Sequence, residues 1–312
     1  MFGVLLALLA AIAIVRRPSR LIALFVSLAI VYALFDQSRW QPWFYQYLAM
    51  LAVIAWHEEK NAMTSCRWIV ICIYFWSGLQ KLNPIFLHQT FPWMLEPFHF
   101  APPAALAFLA PLIESAIAIG LATHRFQRLA VTGALAMHAF ILASIGPWGH
   151  DHNSVVWPWN IAMGTLVVLL FWRRGIEHSP RALVLLLFGL LPAFSFFDLW
   201  DSYLSYSLYS GNQRSATIYL ADEVADQLPE QVQQIIDIYD SESKVDTLDL
   251  EDWSYAELNV PPYPEMRLFR NIAKHVCANA GNPALMVMEV EAKWTWFGRR
   301  RIRAFTCAML QK

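Results

Sequence analysis

The run W-I-V-I-C-I-Y-F-W-S-G-L-Q-K-L, residues 68–82, decides the class of fold. It is an apolar run bounded by Arg67 and closed by Gly78 and Lys81. A membrane-spanning helix takes about 20 largely apolar residues. Seven further runs share this character, so the candidate spans are Phe2–Val15, Leu21–Phe35, Trp43–Trp56, Trp68–Leu82, Ala104–Ala122, Leu129–Ile145, Val155–Trp172 and Ala182–Phe197. The whole chain agrees. Its 312 residues are 57% hydrophobic and 15% charged, where soluble domains are about 25% charged. That balance argues against an ordinary soluble enzyme. A net charge of -1 argues against a nucleic-acid partner attracted by overall basicity.

Basic residues alternate between the loops. Arg16, Arg17, Arg20, Lys60, Arg67, Arg125, Arg128, Arg173, Arg174 and Arg181 fall in odd-numbered loops, and only Arg39 falls in an even one. By the positive-inside rule, odd loops are cytoplasmic and the segment after residue 198 faces out. A plasma-type membrane, the bacterial inner membrane, is the expected location. Phe2–Val15 reads as a retained helix, because its positive charges follow the apolar run instead of preceding it. The even loops W-Q-P-W-F-Y, P-W-M-L-E-P-F-H-F and G-P-W-G-H-D-H-N read either as an interfacial aromatic belt or as a roof over an outward-opening site.

Composition shifts near residue 198. Residues 1–198 carry 12 Lys+Arg and 8 Asp+Glu, and residues 199–312 carry 11 and 16. The predicted architecture is an all-α polytopic bundle of about eight transmembrane helices (1–198), followed by a small α+β soluble domain (199–312). In that domain, residues 204–209 and 216–220 are expected strands, 230–239 and 265–278 expected helices, and 284–293 with 301–309 an expected hairpin turning at Phe297-Gly298. Cys277 and Cys307 either pair, if the domain meets an oxidising compartment, or remain buried thiols. The cluster Arg299, Arg300, Arg301 and Arg303 either pairs with the acidic stretch before Asp252, is simply solvated, or contacts anionic headgroups.

Ionisable residues within a bilayer are costly and mark candidate sites. Lys81 ends the fourth apolar run, Glu114 sits midway along the fifth and His138 midway along the sixth. The alternatives are snorkelling for Lys81 and a structural interhelical hydrogen bond for Glu114 and His138. The functional reading makes Lys81 a base and the other two proton relays. Replacing Lys81 by Met is then expected to leave the fold intact. His150, His152 and His88 are weak metal candidates whose spacing fits no template.

At Y-F-W-S-G-L-Q-K-L the chain resembles the HTTM (horizontally transferred transmembrane) family of vitamin K-dependent carboxylase-like proteins. The ordered series of Lys81, Glu114 and His138 carries the resemblance further, and Ser144-Ile145-Gly146 matches its small-residue turn. Asn83-Pro84 departs from it, standing where that family usually has a Trp. The resemblance implies a naphthoquinol of menaquinol or vitamin K type as cofactor. Lys81, His138 and Glu114 would be catalytic, Gly78, Trp76 and Phe75 would flank the quinol, and a protein acceptor would be carboxylated or deprotonated. The lipid bilayer is the expected surrounding. The rival reading is a non-enzymatic membrane scaffold or redox-complex partner, DoxX-like in its G-x-x-K pattern.

Overall fold

The computed structural model describes residues 1–101, 103–173, 180–240, 245–279, 283–294 and 301–310. The expected Phe297-Gly298 turn and the residues Arg174, Arg299 and Arg300 lie outside this set. The chain divides into two compact units, Met1–Gly211 and Asn212–Lys312, so residues 199–211 belong to the first.

The first unit is helical: α1 Phe2–Ile14, α2 Ser19–Leu34, α3 Pro42–Trp56, α4 Glu59–Gln80, α5 Leu109–Ala122, α6 Gln127–Ile145 and α7 Val156–Phe171. Pro42 starts α3, where its missing N–H costs nothing. Among the described residues, three segments are long and apolar enough to cross a bilayer: α4, α5 with the turn before it (Ala105–Ala122), and α6. Eight full spans are therefore not established, and length is the reason. At 1.5 Å per residue, the 13 residues of α1 and 16 of α7 extend only about 20–24 Å, against a hydrocarbon core of about 30 Å. The last apolar run, Ala182–Phe197, changes from a short α turn to a π segment and then a 3-10 segment. Pro192 lacks the N–H that would continue an α ladder there.

Helix α4 is the centre of this unit. Its apolar window is 72% buried, against 33% for each of the other two spanning segments. Ile69, Val70, Tyr74, Leu121, Val131, Val167 and Phe171 form its core. Leu112, Ile113, Ile119, Leu129, Ile161 and Leu169 are more than half exposed, as side chains facing hydrocarbon should be. Helix α4 also starts nine residues earlier than its apolar run. Arg67, expected in a loop, is buried in the helix and donates from Nε to the Leu170 carbonyl at 2.8 Å.

The second unit is a five-stranded antiparallel sheet in the order β2-β3-β1-β4-β5. Its strands are β1 Ser215–Ala221, β2 Asp237–Asp240, β3 Val245–Asp249, β4 Met286–Glu291 and β5 Ile302–Thr306, with helices α8 Leu250–Leu258 and α9 Met266–Asn279. Strict alternation puts Ala216, Ile218, Leu220, Met286, Met288 and Val290 into the core, beside Phe269, Ala273 and Val276 of α9. Cys277 and Cys307 form a disulfide, with Cα atoms 5.7 Å apart. Two local expectations are corrected. Residues 203–205 make a 3-10 turn in place of a strand, and the expected helix over 230–239 stops at Gln233. Its end joins the sheet instead, where Asp237 pairs opposite Thr247, so strand pairing overrides local propensity.

Candidate functional site

On α4, Tyr74, Ser77 and Lys81 follow at i, i+3 and i+7, the spacing that lines up one helix face. Gly78 lies beside them, against α5. A Cβ on Gly78 would meet the Ser115 hydroxyl, the Ser115 backbone nitrogen at 2.8 Å and the Pro111 carbonyl at 2.9 Å. The missing side chain thus lets the two helices touch. One turn further along, Lys81 Nζ reaches Glu114 Oε2 at 2.7 Å. The same ammonium donates to Ser77 Oγ at 2.7 Å and to the Ser77 carbonyl at 3.3 Å. Its three donors therefore have three protein acceptors, and it does not snorkel. The position also suits a cation, because Lys81 caps the C-terminal end of α4 where the helix dipole is negative.

His138 belongs to a separate set. Its Nε2 lies 2.6 Å from the Tyr74 hydroxyl, and its Nδ1 lies 2.8 Å from Asn160 Oδ1. Asn160 spends its Nδ2 on the Val156 carbonyl one turn back, so its oxygen faces the ring. That places the ring proton on Nδ1, and in the neutral imidazole the Tyr74 hydroxyl donates to Nε2. The trio ties α4, α6 and α7 together, as the ion pair ties α4 to α5.

Both sets line one cavity of about 80 Å³. A single water needs roughly 10–15 Å³ of such space, so about five to eight waters or one small molecule would fill it. The other walls include Met94, Met137, Met163, Trp159 and Tyr206. Tyr206 is 2% exposed, and its hydroxyl finds no partner among the described residues. The cavity walls are mostly apolar, so its few polar groups, this hydroxyl among them, are where an ordered water would bind.

The remaining expected site residues lie elsewhere. Trp76 is buried on another face of α4 and donates to the Gly189 carbonyl at 3.2 Å. Phe75 is 37% exposed and packs edge-on to Trp76. Neither lines the cavity, and Gly78 faces protein. His150 stacks on Trp93 at 4.2 Å and bonds the Trp93 carbonyl through Nε2 at 2.7 Å. His152 stands edge-on to the same indole, and its pKa is lowered by burial first and by neighbouring His150 second. His88 sits in the π segment Phe86–Thr90. Among the described residues, no three His, Cys, Asp or Glu side chains are grouped to hold a metal ion.

Sequence reasoning missed Ser77 and Asn160, and it met Asn83 only as a departure from a motif. The i, i+3, i+7 spacing of Tyr74, Ser77 and Lys81 was a signal for the first. Asn83, which departs from the expected motif, is 2% exposed: its Oδ1 accepts from the backbone N–H of Ile85 and Phe86, each at 3.0 Å. It thereby starts the next helical segment.

The family model described as "Methylamine utilisation protein MauE" matches residues 59–150. No curated protein and no solved structure is matched. The matched stretch contains Lys81, Glu114 and His138, and it corrects the carboxylase-like resemblance. The G-x-x-K-L motif that suggested it has a packing explanation here: close helix contact at Gly78 and a paired lysine one turn later.

Proposed function

We propose that this chain is a membrane-anchored accessory protein that acts through another protein, and that the Lys81–Glu114 pair fixes its bundle. The observation that carries the reading is the satisfied state of Lys81: three acceptors, one of them a carboxylate at 2.7 Å from a neighbouring helix. An ammonium held this way serves as a fastener between α4 and α5. The similarity over residues 59–150 to a methylamine utilisation family supports an accessory role, and amine utilisation is the process we propose it serves. The C-terminal domain would face out of the cytoplasm of a bacterial inner membrane. The alternation of basic loops and the Cys277–Cys307 bond support that orientation.

The test compares the membrane and extracytoplasmic proteomes of cells with and without this chain. A photo-crosslinking residue at exposed Leu258 reports contacts in parallel. We expect one other protein to fall in abundance when the chain is missing, and the same protein to be trapped from Leu258. Lipid extracts of the purified chain are analysed by mass spectrometry alongside. A stoichiometric naphthoquinone, with no protein changed in abundance, would overturn the accessory reading in favour of a redox enzyme.

A further inference from the structure

The C-terminal domain holds one largely buried paired cluster, Arg214 and Lys293 on Glu265, and separates the charges on its surface. Asp222, Asp226 and Asp246 lie near one another, as do Asp237, Asp249 and Asp252. They are carried by β1's end, by β2 and β3 and by α8, on one side of the sheet order. The pKa values of Asp246 and Asp252 are raised, by burial first and by these like-charged neighbours second. Cations gather at the other edge. Arg267, Arg270 and Lys274 follow at i, i+3 and i+7 on α9, and all three are exposed. Arg301 precedes the edge strand β5 and Arg303 lies within it; both are exposed. Arg303 pairs opposite Val290 and Phe305 opposite Met288, which places both on the helix-covered face of the sheet. The Arg270 guanidinium lies 5.7 Å from the Phe305 ring and joins the helix row to the strand row. The acidic stretch does not neutralise this edge: Arg270, Lys274, Arg301 and Arg303 form no ion pair among the described residues.

We propose that this face of α9 and β5 docks on the anionic headgroups of the bilayer that holds the chain. Three features select that occupant. The five cations are exposed, and the hollow that Arg267, Arg270 and Lys274 line holds one largely buried cation, Arg214, already paired with Glu265 at 2.7 Å, so the exposed cations suit a charged plane. Lys and Arg near an anionic leaflet each add attraction that salt screens. The domain also follows the apolar run Ala182–Phe197 closely, with β1 beginning at Ser215, and such a tether keeps headgroups at high effective concentration.

The test uses the full chain in nanodiscs of phosphatidylcholine alone or mixed with phosphatidylglycerol, read by hydrogen exchange at residues 266–274 and 301–306. We expect exchange there to slow roughly tenfold in the anionic discs and to recover at high salt. The Lys274→Gln/Arg303→Gln variant, altered only at exposed side chains, should lose most of that protection while the sheet core exchanges as before. Equal exchange in the two lipids would overturn the proposal. So would protection in phosphatidylcholine discs produced by inorganic phosphate or glycerol phosphate, which would mark a site for a free anion.

Discussion

The spanning bundle settles the charge at its site by pairing, whereas the C-terminal domain pairs its largely buried charges, Arg214 and Lys293 on Glu265, and segregates those on its surface. In the bundle, Lys81 meets Glu114 at 2.7 Å, and His138 is closed between Tyr74 and Asn160. In the domain, carboxylates crowd one side of the sheet while Arg270, Lys274 and Arg303 line the other edge. The difference follows from the solvent. Hydrocarbon offers an unpaired charge nothing, so partners must be built in. Water solvates exposed charges individually, and their arrangement is then free to follow an outside partner.

The comparison breaks first at Glu114. Glu114→Ala leaves the Lys81 ammonium without its carboxylate and should destabilise the bundle by about 3–5 kcal/mol, measured by thermal unfolding in nanodiscs. The ion pair argues against the expectation that Lys81→Met leaves the fold intact, and the same assay tests it. That substitution strands the Glu114 carboxylate, which must then take up a proton or lose stability. Unchanged unfolding in Glu114→Ala would show that the pair is not what holds α4 to α5.

The C-terminal domain depends on a different bond. Cys277→Ser/Cys307→Ser should cost it about 2–4 kcal/mol and leave the bundle untouched. Domain-resolved hydrogen exchange, with and without reductant, checks both halves of that statement. Loss of protection in α4 on reduction would contradict it.

Much of the first unit could be read from residue types alone. Long apolar runs read as helices, and Lys81, Glu114 and His138 read as a group because each is conspicuous in hydrocarbon. Their partners were less visible. Ser77 and Asn160 are ordinary polar residues until the fold aims them at Lys81 and His138. The reaction suggested by G-x-x-K-L was not legible at all, since Gly78 answers to a packing demand at Ser115 and Pro111 that any tight helix crossing makes. The domain was harder for another reason. Residues 230–239 have helical spacing, but Ile238 and its neighbours are claimed by the exposed ladder of β3.

Smaller effects sharpen the contrast. Gly78→Ala must push Ser115 or part the helices, and should cost about 1–3 kcal/mol in the same unfolding assay. An unaffected melting temperature would show that α4 and α5 have room between them. Smallest is Asp246→Asn. The folded domain raises the Asp246 pKa above its unfolded value. It therefore binds this proton more readily than the unfolded chain, and stability gained as pH falls through the carboxylate range is lost again toward neutral pH. The Asn variant should be the more stable one at neutral pH and should lose that advantage in mild acid. A constant difference across pH would place the effect outside the charge of Asp246.

The central claim is that Lys81 and Glu114 act as one unit. A double-mutant cycle with Lys81→Met, Glu114→Gln and the combined variant, followed by unfolding of the full chain in nanodiscs, measures it directly. Coupled side chains should give an interaction energy of about 1–3 kcal/mol, with the double variant more stable than the sum of the single losses requires. Strictly additive losses would contradict the pairing and return Lys81 to the role of a free amine at the end of its helix.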